Sequence, residues 1–286
     1  MLHHVPRDEG AWDPEIRGLL MSEIVETPGS LALPVRRIDV ERPWQWLAAG
    51  WRDFTAAPMV SLLYGGVFVL GGLILTFLLW SFDWLYLLLP IGAGFLLLAP
   101  VLATGLYEVS RRLERGERPS LGDAFQAWQK RPGSLAVMGL VLVFFFLTWI
   151  RIAFLIFALF FGPESLNWTS FVQMLFFSTD GIPFLVVGTI VGGIFAALAF
   201  ALSAVSIPLI LDRDVGALAA MATSVSAVLT NWRVMIGWAA LIALFGAAGL
   251  VSFYIGLGIT LPLIGYATWH AYRDLVVQIP AGGSQR

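Results

Sequence analysis

The sequence predicts an all-α polytopic membrane protein: six transmembrane helices in three hairpins, each preceded by a short interfacial amphipathic helix. Three observations predict it. The chain is 58% hydrophobic and 13% charged, with a mean hydropathy of +0.82, far from the roughly half apolar and quarter charged composition of soluble domains. Long runs lack Asp, Glu, Lys and Arg altogether. The basic residues gather in alternate connections between those runs.

Residues 1–37 are rich in Pro, Gly and charge and hold no apolar run, so they read as a disordered cytoplasmic tail without a cleavable signal peptide. The membrane domain is expected over 38–276, with residues 277–286 as a cytoplasmic C-terminal tail. A helix crossing about 30 Å of hydrocarbon needs roughly 20 mainly apolar residues. Four runs qualify at once: 58–80, 84–107, 134–161 and 182–211, the third interrupted by Arg151. The last run, Val234 to Tyr272, would make one helix of about 58 Å, so Gly256 and Gly258 are expected to turn it into two spans, 234–254 and 256–272.

Loops rich in Lys and Arg stay in the cytoplasm. Arg7, Arg17, Arg36, Arg37, Arg42 and Arg52 precede span 1; Arg111, Arg112, Arg115, Arg118, Lys130 and Arg131 follow span 2; Arg213 and Arg233 flank the loop after span 4; Arg273 and Arg286 follow span 6. The loops after spans 1, 3 and 5 carry only the acids Asp83, Glu164 and Asp180. Both termini are therefore expected in the cytoplasm. Tryptophans 44, 46, 51, 80, 84, 128, 168, 232 and 269 fall near span ends, as an interfacial aromatic belt requires.

Each hairpin is preceded by a segment with helical apolar spacing: Trp44, Leu47, Trp51 and Phe54; then Leu121, Ala124, Phe125 and Trp128; then Val215, Leu218, Ala222, Val225 and Leu229. The first two are followed by Pro58 and Pro132 at matching distance. Aligned without gaps, "GFLLLAPVLATGLYEVSRRL" (94–113) and "GLGITLPLIGYATWHAYRDL" (256–275) pair Pro100 with Pro262, Tyr107 with Trp269, Glu108 with His270 and Arg111 with Arg273. Pro208 falls opposite the same prolines. Three parallel copies of interfacial helix, span, span are read from this. The prolines of spans 2, 4 and 6 are expected to kink or open those helices.

The stretches "GWRDFTAAPMVSLLYGG" (50–66), "LAPVLATGLYEVSRRLERGE" (98–117), "IPLILDRDVGALAAMATS" (207–224) and "ATWHAYRDL" (267–275) resemble the family of predicted bacterial integral membrane proteins known as domain of unknown function 2189 (DUF2189), over about residues 38–276. The resemblance implies an inner-membrane protein of about six spans with no established activity. Tyr266 stands where a second histidine is usual in that family, and Trp232 where proline often follows Asn231. Histidines at 266 and 270 would share a helix face and could chelate a metal; with Tyr266 the pair is broken, and no metal or cofactor is expected.

The candidate site lies where the kinked helices converge. Glu108, Asp212, His270 and Tyr266, with Thr104 beside them and Arg111, Arg213 and Arg273 one turn further out, read either as a proton- or cation-handling site with an anion-binding rim, or as helix-end residues that snorkel and pair with one another. Arg151, about 25 Å along its helix from Ser134, calls for water or an acid such as Asp180, Glu164 or Asp83. The strip Gly188, Gly192, Ala196 has the small-residue spacing of close helix packing. Absence of cysteine excludes disulfides and thiolate chemistry, and no nucleotide-binding loop, HExxH or GxSxG constellation is present. The expected function is a non-enzymatic scaffold, assembly or accessory component, with a small transporter or channel past Glu108, Asp212 and His270 as the alternative and a lipid-modifying enzyme as a weaker one. The expected partners are the lipid bilayer and other membrane proteins, not nucleic acid; nothing in the sequence sets an oligomeric state.

Overall fold

The computed structural model describes residues 24–25, 31–162 and 168–278; the remaining parts of the expected tails, and Glu164, lie outside the described residues. Two short strands, β1 (Ile24–Val25) and β2 (Val35–Arg36), pair antiparallel. The helices that follow are α1 (Arg42–Ala56), α2 (Pro58–Ser81), α3 (Leu88–Leu102), α4 (Thr104–Glu114), α5 (Leu121–Gln126), α6 (Pro132–Phe161), α7 (Trp168–Phe177), α8 (Gly181–Ser203), α9 (Ser206–Asp212), α10 (Ala217–Thr230), α11 (Trp232–Val251) and α12 (Leu257–Leu275). Among the described residues five stretches are helical, long and apolar enough to cross a membrane: Pro58–Ser81, Leu85–Glu114, Pro132–Phe161, Gly181–Asp212 and Trp232–Val251.

The sixth expected span, 256–272, is α12, and it is not among those five. It is instead the hub of the molecule, packed against α1, α2, α4 and α11, with Tyr266, Trp269 and Tyr272 fully buried. A helix surrounded by protein does not need an apolar exterior, which is why its sequence can carry so many polar groups. The turn before it also differs from expectation. Phe253 and Tyr254, not the glycines, take positive φ (52° and 65°), and Tyr254 Oη meets Thr76 Oγ1 of α2 at 2.7 Å, holding the turn in place.

The expected hairpins pack on their sequence neighbours in two cases, α6 with α8 and α11 with α12. The first pair opens instead: α2 lies on α12 and α3 on α6. Close backbone approach decides this. Pro262 lacks the N–H that would bond to the Gly258 carbonyl, and Gly65 of α2 packs on that carbonyl so closely that a methyl group there would overlap it. Gly50 of α1 does the same one turn further along, where a methyl would stand 2.8 Å from both Ala267 N and Leu263 O. On the other side, Trp149 Nε1 of α6 donates to Pro90 O of α3 at 3.0 Å.

A non-helical residue stands immediately before the span that follows each amphipathic helix, as the whole connection in the first and third cases and after the short 3-10 turn Ala127–Gln129 and Lys130 in the second. Ala57 (φ −132°, ψ 58°), Arg131 (φ −139°, ψ 60°) and Asn231 (φ −117°, ψ 33°) are these three residues. In the first two the following residue is proline, which pushes its predecessor out of the helical region and then starts a helix well. Spans 2 and 4 are interrupted near their prolines, at Ala103 and at Ala204–Val205, whereas α12 runs unbroken through Pro262. Hydroxyls satisfy the backbone freed at the first break: Thr104 Oγ1 donates to Val101 O (2.6 Å) and Tyr64 Oη to Leu102 O (2.7 Å).

The buried faces of the amphipathic helices differ from the apolar stripes read in the sequence. On α1 the buried residues are Pro43, Trp46, Leu47, Ala49, Gly50 and Phe54, while Trp44 and Trp51 are exposed. On α10 small residues, Ala217, Ala220, Thr223, Ser224 and Ala227, face the protein, and Leu218 and Leu229 face outward. Nor does the whole tryptophan series form an outer belt, since Trp46 and Trp269 are buried. Residues 31–37, read as tail, form an ordered strap: Leu33 N donates to Thr223 Oγ1 (2.9 Å), Ile38 N to Asn231 Oδ1 (2.9 Å), and Val277 N to Pro34 O (3.1 Å). α7 has no counterpart in the sequence reading; its Phe171 and Leu175 pack on Phe157 of α6.

Candidate functional site

The polar side chains collect at one end of the bundle, where α1, α4, α9 and α12 meet. They form three networks rather than one site, and among the described residues no hydrogen bond or ion pair joins Glu108, Asp212 and His270 to one another.

Glu108 on α4 is fully buried. Its carboxylate accepts from Arg111 Nε (2.8 Å) and Nη2 (2.9 Å), Arg112 Nε (2.9 Å) and Lys130 Nζ (2.5 Å). Spacings of three and four residues put Arg111 and Arg112 within reach on the same helix, and Lys130 arrives from the turn after α5. Arg112 continues outward to Asp123 (3.0 Å) and Glu117 (3.5 Å). Asp123 also closes a capping box with Ser120 at the start of α5. Hydrogen bonds from the Ser120 hydroxyl and backbone hold the Asp123 carboxyl below its ordinary value. Because the folded value is the lower one, the stability it contributes is present above the ordinary carboxylate range and is lost as pH falls through the depressed value. Asp123→Ala is expected to cost about 1 kcal/mol and to speed amide exchange over residues 121–129; unchanged exchange would show the cap to be idle.

Asp212 at the end of α9 accepts from Tyr272 Oη (2.7 Å) and Arg273 Nη1 (3.3 Å). Arg273 also bonds Glu114 through Nε (3.0 Å) and Nη2 (2.7 Å), and Trp269 Nε1 donates to the other Glu114 oxygen (3.1 Å). Arg213 turns away, donating to Val277 O (2.7 Å) and Gln278 Oε1 (3.0 Å). His270 faces α1, where its Nε2 lies 2.8 Å from Asp53 Oδ2; Ser110 Oγ donates to the same oxygen at 2.6 Å. Tyr266 lies deeper, with its hydroxyl 2.8 Å from Ser61 Oγ. Asp274 completes the ring by accepting from Trp46 Nε1 (3.0 Å), with Arg42 at 3.6 Å.

α12 thus supplies five partners between Trp269 and Asp274, Trp269, His270, Tyr272, Arg273 and Asp274, which together reach α1, α4 and α9. Asp53, Ser110, Glu114, Lys130 and Asp274 were not legible as members, because their partners are on other helices; the only local hints are the adjacent opposite charges of Arg52 and Asp53, and of Arg273 and Asp274. Chemically each of these acids accepts from at least one side chain far away in the chain or on its own helix, so the assembly cross-links helix ends. Among the described residues no group of three or more His, Asp or Glu side chains is placed to hold a metal ion.

Arg151 is exposed on α6 and forms no ion pair with Asp83 or Asp180; Glu164 lies outside the described residues. The strip on α8 does meet another helix: Gly192 faces the Trp149 ring of α6, where a methyl would stand 2.9 Å from it.

Neither the curated proteins nor the solved structures searched contain a match to the chain. Residues 88–212, covering α3 to α9 and with them Glu108 and Asp212, match the family described as predicted integral membrane protein (DUF2189).

Proposed function

We propose that the chain is a non-enzymatic inner-membrane scaffold or accessory component with six spans in three repeated units and both termini in the cytoplasm. One observation carries the functional part. The ionisable side chains at the charged end are spent on holding helices together, while the spans keep long apolar faces uncovered. On α8, Ile182, Val186, Ile190, Ile194 and Leu198 are 52 to 74% exposed in a continuous row. Such a row at helical spacing suits lipid or the helix of another membrane protein.

The recurring non-helical residue just before the span, Ala57, Arg131 and Asn231, supports the three-unit reading, with α12 as a protein-shielded sixth span. The outward Leu218 and Leu229 of α10 and Trp44 and Trp51 of α1 suit helices lying in the headgroup layer. A transport path past Glu108, Asp212 and His270 would require each to release its present partners. Cross-linking in native membranes followed by mild-detergent purification tests the scaffold reading. A membrane-protein partner should co-purify with the unaltered chain and be lost from an Ile190→Asn variant that still folds; a chain that emerges alone counts against it.

A further inference from the structure

A cavity of ≈ 280 Å³ lies among α3, α8, α11 and α12. Along α12 it runs from Leu257 to Thr268, about 17 Å, and its wall is almost wholly apolar. A second cavity of ≈ 570 Å³ adjoins it, with Leu96, Leu97, Gly193, Ala196 and Ala243 in the walls of both. The opening is lateral: Gly193, Ala196 and Ala243 are exposed, and α8 and α11 do not pack closely on each other. Space at this level communicates with whatever surrounds the spans.

The charged end of the cavity carries an unspent donor. Tyr107 is 2% exposed and lines the wall, yet its hydroxyl has no hydrogen-bond partner among the described residues. Ser203 and Thr268 beside it donate to carbonyls of their own helices, Ala199 O and Ile264 O, both at 2.7 Å. Further in, Thr260 Oγ1 is buried without a partner. A buried donor left unpaired is costly, and an apolar space without contents forfeits dispersion contacts with its walls.

We propose that this cavity binds one acyl chain of a bilayer phospholipid, with the ester carbonyl at the head of that chain accepting from Tyr107 Oη. Three features select this occupant. The walls belong to membrane-crossing helices, so acyl chains are what meets the lateral opening. The depth of about 17 Å is close to the roughly 15 Å of one hydrocarbon leaflet. The Tyr107 donor stands at the end nearest Arg111 and Arg273, where headgroups and ester carbonyls lie, whereas Thr260 lies further in. The inference needs only that the chain is embedded in a bilayer, and it holds whether or not the scaffold reading does.

The test uses the full chain in vesicles of phosphatidylethanolamine and phosphatidylglycerol doped with a phosphatidylethanolamine carrying a diazirine midway along one acyl chain. After illumination, adducts are mapped by mass spectrometry. They should concentrate on the cavity-lining residues Leu257, Thr260, Leu261, Ile264 and Thr268 rather than on Ile259, which is 45% exposed, and fall about fivefold when Gly193→Leu and Ala243→Phe block the opening. Labelling of the exposed α2 face, Val67 to Phe77, should stay unchanged and reports that the variant is folded. Tyr107→Phe keeps the ring and should reduce lipid retention in native mass spectrometry by roughly 2- to 10-fold. Should the blocked variant misfold, Tyr107→Phe decides alone. Adducts on those lining residues no more frequent than on the exposed α8 row, or retention unchanged in Tyr107→Phe, overturn the proposal; the first result would mean that the space is closed or filled by the chain's own termini.

Discussion

Glu108→Ala is expected to lower stability by about 3 kcal/mol, the scale on which removing one partner of a buried ion pair acts. The carboxylate is fully buried and pairs with Arg111, Arg112 and Lys130 at once. Without it three cations face one another, and none has another acid so near except Arg112, which reaches Asp123. The cations are themselves 12 to 32% exposed, so water relieves part of the repulsion, and the lower end of the usual range for a broken buried pair is the better expectation. In detergent this corresponds to a fall in Tm of roughly 6 to 12 °C. Glu108→Gln, of the same shape, should lose most of the same amount, because the charge rather than the volume does the holding. Combining Glu108→Gln with Lys130→Met should cost less than the sum of the two, the mark of a direct interaction. A Tm within a degree of the unaltered protein would mean that the network does not close as described.

Gly65→Ala is expected to be the most damaging small substitution in α2, costing on the order of 2 kcal/mol. Its added methyl would run into the Gly258 carbonyl of α12, which is backbone and cannot step aside. The neighbouring Gly66→Ala is the internal control, since a methyl there meets nothing within 4 Å. An alanine at that position should stabilise α2 by roughly 0.5 to 1 kcal/mol, as alanine does in a helix interior. Thermal melts of the two variants should therefore move in opposite directions. Equal shifts would show that α2 and α12 do not meet backbone to backbone.

These expectations rest on contacts between residues far apart in the chain, and this marks what was legible beforehand. The five apolar stretches, the amphipathic segments before three of them and the clustering of basic residues at one end all follow from composition and local spacing. Glu108, Asp212 and His270 were rightly picked out as unusual, because ionisable groups beside apolar spans need partners. Which partners they have was not readable. His270 and Asp53 are 217 positions apart, and Trp269 and Glu114 are 155 apart; nothing local links them. The apolar stripes of α1 and α10 were legible only in part for a related reason, since periodicity gives a face but not which of its residues protein covers and which are left outward.

By itself the sequence determined that the chain is helical and membrane-embedded, where its helices begin at proline, and which end carries the charge, because each of these depends on hydrophobicity and backbone chemistry within a few residues. Only the tertiary structure decided that α12 is a shielded hub, that the first pair of spans splays apart, and that the polar residues divide into three networks. Those outcomes depend on which helices can approach closely, and that is set by Gly65 meeting Gly258 and Gly50 meeting Leu263 and Ala267, pairs close in space and far apart in sequence.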